Sequence, residues 1–152
     1  MDLDRFFTRL NPILVAILRS RLHFLLSPGL MLVTVTGRRT GRRYTIPVGY
    51  QRDGERIAVM VSKARRKQWW RNYREPRAVE LRLRGRARSG RAQVVAPGSE
   101  EFRREVERTL RRMPWLGRQF GIEYDRRRGL DEDQVKELGI QNALVRITLD
   151  GS

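Results

Sequence analysis

Residues 30 to 47 read Leu-Met-Leu-Val-Thr-Val-Thr-Gly-Arg-Arg-Thr-Gly-Arg-Arg-Tyr-Thr-Ile-Pro. β-Branched and apolar residues fill Leu30 to Thr36, and alternation resumes from Tyr44 to Gln51, so a basic turn joins two strands. Two strands closed by a turn are the unit of an antiparallel sheet. Gly37 and Gly41 bracket the turn and let its backbone adopt conformations in which amides converge on one point. Around that point Arg38, Arg39, Arg42 and Arg43 offer guanidinium groups that match phosphate or carboxylate oxygens bidentately, and Thr40 adds a hydroxyl. The stretch reads either as an anion-binding loop or as a solvated hairpin in an arginine-rich chain.

Asp53-Gly54 signals a second hairpin leading into a strand from Arg56 to Ser62, which completes a meander. Lys67 to Tyr73 fits a short helix before Pro76. Val79, Leu81 and Leu83 alternate with Glu80, Arg82 and Arg84, turn at Gly85 and return in a strand reaching Val95. Ser99 caps a helix that runs to about Met113, where Pro114 stops it. Trp115 to Tyr124 has no clear period. Asp131 to Leu138 reads as a short helix ended by Gly139, and Ala143 to Leu149 as a final strand. About six strands without a βαβ rhythm make an α+β, mainly β class: an antiparallel barrel or sheet with helices packed on it. No repeat or linker divides the chain, so one domain over residues 1–152 is expected.

Ahead of the sheet, Phe6 to Leu26 places Phe6, Phe7, Leu10, Ile13, Leu14, Ile17, Leu18, Leu22 and Leu25 on a broad helical face, with Ser27-Pro28-Gly29 as the stop. The segment falls short of a membrane span. It either packs across the sheet or rests on a membrane surface with Arg19 and Arg21 at the headgroups. Asp2 and Asp4 argue against a secretory signal, which makes a cytoplasmic location the expectation.

Composition removes several chemistries. The chain has no cysteine and a single histidine, His23, so disulfides, thiolate nucleophiles, a Ser-His pair and multi-histidine metal sites are excluded. Net charge is +16, and of the 33 basic residues only Lys63, Lys67 and Lys136 are lysine. Such a field attracts polyanions: nucleic acid, an anionic membrane or a small multiply charged ligand. Trp69-Trp70-Arg71 and the arginines from Arg82 to Arg91 would suit a nucleic-acid-binding module, yet the arginines are dispersed and no recognised binding motif accompanies them.

The order Leu32-Val-Thr-Val-Thr-Gly-Arg-Arg-Thr-Gly41, Ile46-Pro47-Val48, Asp53-Gly54, Ser62-Lys63 and Trp69-Trp70-Arg71-Asn72 resembles the deazaflavin (coenzyme F420)-dependent nitroreductases, or quinone reductases. The likeness covers about residues 30 to 95. It implies a split β-barrel holding coenzyme F420, whose tail carries a phosphate and glutamates, reduced beforehand by a separate enzyme. It further implies that Gly37, Arg38, Arg39, Thr40 and Gly41 bind the cofactor tail and that Ser62 and Lys63 reach its phosphate and ring. Pro47 and Val48 would lie along the ring, and Trp69 and Asn72 match the family's Trp-x-x-Asn helix. Of the two adjacent tryptophans, Trp69 is expected to face the ligand, since neighbours on a helix diverge by about 100°.

One departure concerns the second tail-binding arginine of the family, which falls on Tyr44 with Arg43 one residue earlier, and a one-residue slip in a strand reverses the face. Either Arg43 or Arg42 substitutes, or the tail site is altered. Another is Ala64-Arg65-Arg66-Lys67, which replaces a glycine-rich stretch. The implied activity is hydride transfer from reduced F420 to a quinone, nitroaromatic or activated alkene, with FMN as the alternative cofactor. A hydroxyl near the acceptor would donate a proton or hydrogen bond, with Tyr124 ranked ahead of Tyr44 and Tyr50 because Trp115, Phe120 and Tyr124 suit a substrate lid. A non-catalytic barrel binding flavin or haem is the other alternative, and the sequence does not choose between monomer and homodimer.

Overall fold

The computed structural model describes residues 3–26 and 29–151, with side chains from residue 11 onward. Seven strands form one sheet: β1 (Leu30–Thr36), β2 (Arg43–Gly49), β3 (Gln51–Asp53), β4 (Arg56–Val61), β5 (Arg77–Leu83), β6 (Arg86–Val94) and β7 (Ala143–Leu149). Their order is β2-β1-β5-β6-β7-β4-β3, and every pairing is antiparallel. The run expected as one strand from Tyr44 to Gln51 is interrupted at Tyr50, and that break shapes the fold. β2 and β3 are consecutive in the chain, separated by Tyr50 alone, yet occupy opposite edges of the sheet. A one-residue connection cannot cross a flat seven-stranded sheet, whose strands lie about 4.8 Å apart, so the sheet curls until its edges meet. The fold is a split β-barrel.

Period-2 alternation sorts the strands into two faces. Met31, Val33 and Val35 of β1 face inward with Ile57, Val59, Val79, Leu81, Val145 and Ile147, all buried in one interior core. The outward face of β4 and β7 packs beneath helices α2 (Glu100–Arg112), α3 (Leu116–Gln119) and α4 (Glu132–Gln141). There Phe102, Val106, Leu110, Leu138 and Leu144 form a second core. Ser99 caps α2 as expected, its Oγ accepting from Phe102 N at 3.2 Å. Asp131 and Gln134 cap α4 reciprocally.

Three local expectations change. Gly139 does not end α4, which continues to Gln141; a Cβ at Gly139 would lie 3.0 Å from Pro97 Cβ, so the glycine serves close packing. The stop comes from buried Asn142, whose side-chain amide donates to Leu138 O and Phe120 O. The Lys67–Tyr73 segment is a 3₁₀ helix spanning Trp69–Tyr73. The N-terminal helix, α1 (Leu3–Arg19), packs on β1 and β2 through buried Leu14 and Leu18 but stops at Ser20. Ser20 Oγ donates to Ile17 O at 2.7 Å and accepts from Leu22 N at 3.1 Å, starting a separate 3₁₀ helix, Arg21–Leu25. Leu22 and Leu25 therefore leave the buried stripe. Phe6, Phe7 and Leu10 of the expected apolar face, and Ser27-Pro28 of its stop, lie outside the described residues or side chains. No helix among the described residues is long and apolar enough to cross a membrane.

Candidate functional site

Strand register gives the barrel two ends. The 37–42 turn, Arg77, Val61 and Ala143 mark the upper end, and Leu30, Gly49, Gln51 and the Arg84-Gly85 turn the lower. A cleft of about 730 Å³ runs between them along the seam where β2 faces β4 and β3. That volume suits a ligand of cofactor or drug size. Ile46, Pro47 and Val48 form one wall, Ala58 to Ser62 the other, Tyr50 and Gln51 the lower end. Thr109 and Arg112 of α2, with Met113, Trp115, Leu116, Gln119 and Phe120 beyond it, overhang the seam. Trp115 is 61% exposed although it borders the cleft.

Of the residues singled out in the sequence, Pro47, Val48, Ser62 and Trp69 line this cleft. Trp69 is buried and meets Tyr73 edge-on, with ring centroids 6.2 Å apart. Trp70 turns away: its indole N–H donates to Ala64 O at 2.8 Å, and the guanidinium groups of Arg71 and Arg74 lie over its ring. Lys63 follows β4 at the upper end in a left-handed conformation, φ 50°, which side chains other than glycine's rarely adopt. Lys67, which the sequence reading passed over, lines the cleft with its Nζ 3.4 Å from Ser62 Oγ.

The basic turn stands at the upper end, and four of its backbone amides are already bonded within the protein. Gly37 N–H donates to Arg42 O, Gly41 N–H to Gly37 O, Arg42 N–H to Thr40 Oγ1 and Arg38 N–H to Asn72 Oδ1, at 2.8 to 3.2 Å. Arg38, Arg39 and Arg42 are exposed. Asn72 is buried beneath the turn and also donates to Trp69 O at 2.9 Å. It braces the turn against the Trp69 segment.

Tyr44 and Arg43 occupy opposite faces of β2. Arg43 reaches outward to an ion pair with Glu80 of β5. Tyr44 shares its face with Val35, toward the interior. Burial raises the Tyr44 pKa while nearby Arg38 lowers it. Burial raises Tyr73 to about 12, against the pull of Arg77. Tyr50 alone among the three hydroxyl candidates lines the cleft. Tyr124 packs against the second core, backed by Gly117, where a Cβ would approach Tyr124 Cβ to 2.9 Å; its buried hydroxyl has no hydrogen-bond partner among the described residues.

Arg112 is the other residue absent from the sequence reading. Its guanidinium donates to Gln51 Oε1 at 2.7 Å at the lower end of the cleft. Glu101, Glu105, Arg108 and Arg112 recur on one stripe of α2. Glu101 pairs with Arg146, and Arg108 with Asp53 and Glu105. Arg112 has no carboxylate partner among the described residues, and it is the member that borders the cleft. The helix stripe ending just before Pro114 is the sequence signal that could have found it.

Residues 20–121, which build all of the cleft except Asn11, match the model of the F420H(2)-dependent quinone reductase family. The chain belongs to that family. No curated protein matches the sequence. Solved structures agree on the fold. One described as a domain-swapped dimer has a TM-score of 0.54 at 14% identity, over 88% of this chain and 98% of its own. HutZ, the haem storage protein of Vibrio cholerae, gives 0.53 at 14% identity, over 84% and 85%. The FAD and haem binding protein of Mycobacterium smegmatis gives 0.50 at 17% identity, over 87% and 67%.

Proposed function

We propose that this family member uses reduced coenzyme F420 to reduce a quinone, with nitroaromatics and activated alkenes as further acceptors of the same class. The observation that carries this reading is the seam cleft itself, with apolar walls for a flat ring and Lys67 and Arg112 in its lining; the exposed arginines of the 37–42 turn stand outside that lining, at the upper end of the barrel, where they suit an anionic tail. Phosphate and carboxylate oxygens are what guanidinium and ammonium groups hold best. The residues present therefore fit the cofactor. Arg38, Arg39 and Thr40, with Gly41 shaping the turn, hold its tail; Ser62, Lys63 and Lys67 hold the phosphate side; Pro47, Val48 and Trp69 flank the ring. Asn72 acts through the turn it braces, and Arg43 is left to its pair with Glu80.

Bound there, the reduced deazaflavin supplies a hydride. The protein contributes position, exclusion of water by α2 and the Trp115 segment, and hydrogen-bond donors to the acceptor. Tyr50 and Arg112 border the lower end and are the donors we assign to the acceptor.

Titration of the purified protein with F420, followed by quenching of tryptophan emission, tests the reading, since Trp69 and Trp115 line the cleft. Saturable binding and quinone-dependent oxidation of reduced F420 are expected. Absence of saturable binding would sink it. FMN remains the alternative cofactor, because proteins of this fold are named for FAD and haem and a phosphate would meet the same cations; a parallel FMN titration decides between them.

A further inference from the structure

The 3₁₀ helix Arg21–Leu25 contains no buried residue, and its Leu22, Phe24 and Leu25 are 53%, 61% and 63% exposed. Contiguous apolar exposure of this kind marks an interaction surface. The segment is nonetheless firmly seated. His23 lies against Gly85 in the β5–β6 turn, where an added Cβ would fall 2.4 Å from His23 Nε2. That contact sets the Arg84-Gly85-Arg86 turn against the segment that opens with Arg19 and Arg21, of which Arg19 also donates to Thr45 Oγ1 at 3.4 Å. Residues 19–26 and 83–87 contain these four arginines and no acid, while the chain as a whole carries 17 acidic residues.

We propose that this face docks on an anionic lipid surface, with Leu22, Phe24 and Leu25 entering the headgroup boundary and the arginines meeting lipid phosphates. Three neighbouring apolar side chains in segments that carry four arginines and no acid match an anionic interface, in which burial and charge attraction add. In α1, Leu14 and Leu18 are buried, so the docking face is assigned to Arg21–Leu25. The docking face sits at the lower end of the barrel. Leu30 N–H donates to Leu26 O at 2.9 Å, and Gly29 and Leu30 line the cleft. An acceptor dissolved in lipid would therefore enter beside Gly29, a consequence that rests on the proposed function; the docking itself does not.

Co-sedimentation of the full chain with phosphatidylglycerol/phosphatidylcholine vesicles, and with phosphatidylcholine alone, tests this. The chain's net charge alone would give some salt-labile binding, so the informative variant is Leu22→Ser/Phe24→Ser/Leu25→Ser, which leaves every charge in place. The expected result is binding to the anionic vesicles that weakens about 100-fold in this variant. The second variant, Arg19→Gln/Arg21→Gln/Arg84→Gln/Arg86→Gln, should bind anionic vesicles about 10-fold more weakly with its apolar residues intact. Equal binding by the wild type and the serine variant would overturn the proposal. So would a wild-type dimer that the serine variant converts to monomer, which would assign the patch to a second copy of the chain. Matching circular dichroism and F420 titration of all three proteins separates a docking defect from a loss of fold or of the cofactor site.

Discussion

Two arginine-rich regions of this protein behave differently: the 37–42 turn and the polar stripe of α2. In the turn, side chains stand exposed while the amides of Gly37, Arg38, Gly41 and Arg42 are taken up internally and by Asn72. On the α2 stripe Glu101, Glu105 and Arg108 are neutralised in pairs, whereas Arg112, held by the side-chain amide of Gln51, is the member at the cleft. Arginine count is thus a poor guide to function. What a guanidinium can offer a ligand depends on what already holds it.

The largest effect that would sharpen the contrast is expected at Asn72. Asn72→Ala removes the acceptor for Arg38 N–H and the donor to Trp69 O, costing about 3 kcal/mol of stability by urea titration and loosening the turn enough to weaken F420 binding. A variant as stable as wild type would show that the brace is dispensable. Next, Arg38→Ala and Lys63→Ala should each weaken F420 binding by about 2 kcal/mol, measured as a dissociation constant. Unchanged constants for both would remove the anion site from the upper end. Lys63→Gly carries a second readout: it should bind F420 as weakly as Lys63→Ala while gaining about 1 kcal/mol of stability, because glycine adopts the left-handed backbone without strain.

At the other end, Arg112→Gln should lower kcat/KM for a quinone about tenfold while leaving the F420 dissociation constant unchanged. Loss of cofactor affinity instead would place Arg112 with the cofactor. The smallest effect belongs to Arg43→Gln, which breaks an exposed pair with Glu80 and should change both stability and cofactor affinity by less than about 0.5 kcal/mol. A large loss of F420 binding there would show that Arg43 does serve the tail.

Much of the fold was legible because it rests on local rules. Alternation located six of the seven strands, and Ser99 and Asp131 announced the helices they cap. The errors arose where packing overrode a local signal. Gly139 reads as a stop, but the structure uses it to let α4 pass close to Pro97. The apolar run to Leu26 reads as one helix, but Ser20 divides it. For the site, the motif positions Pro47, Val48, Ser62 and Trp69 do meet at one cleft, whereas Tyr124, chosen for its aromatic neighbours, packs in a different layer.

The sequence by itself determined the strand pattern, the basic turn, the absence of cysteine and multi-histidine chemistry, and the family likeness, since each depends on residue type and short spacing. Tertiary structure decided which strand edges meet, because Tyr50 joins β2 to β3 only if the sheet curls. It also decided which face Arg43 and Tyr44 take and which hydroxyl and which arginine border the cleft. These outcomes depend on contacts between residues far apart in the chain, such as Gln51 with Arg112 and Arg38 with Asn72.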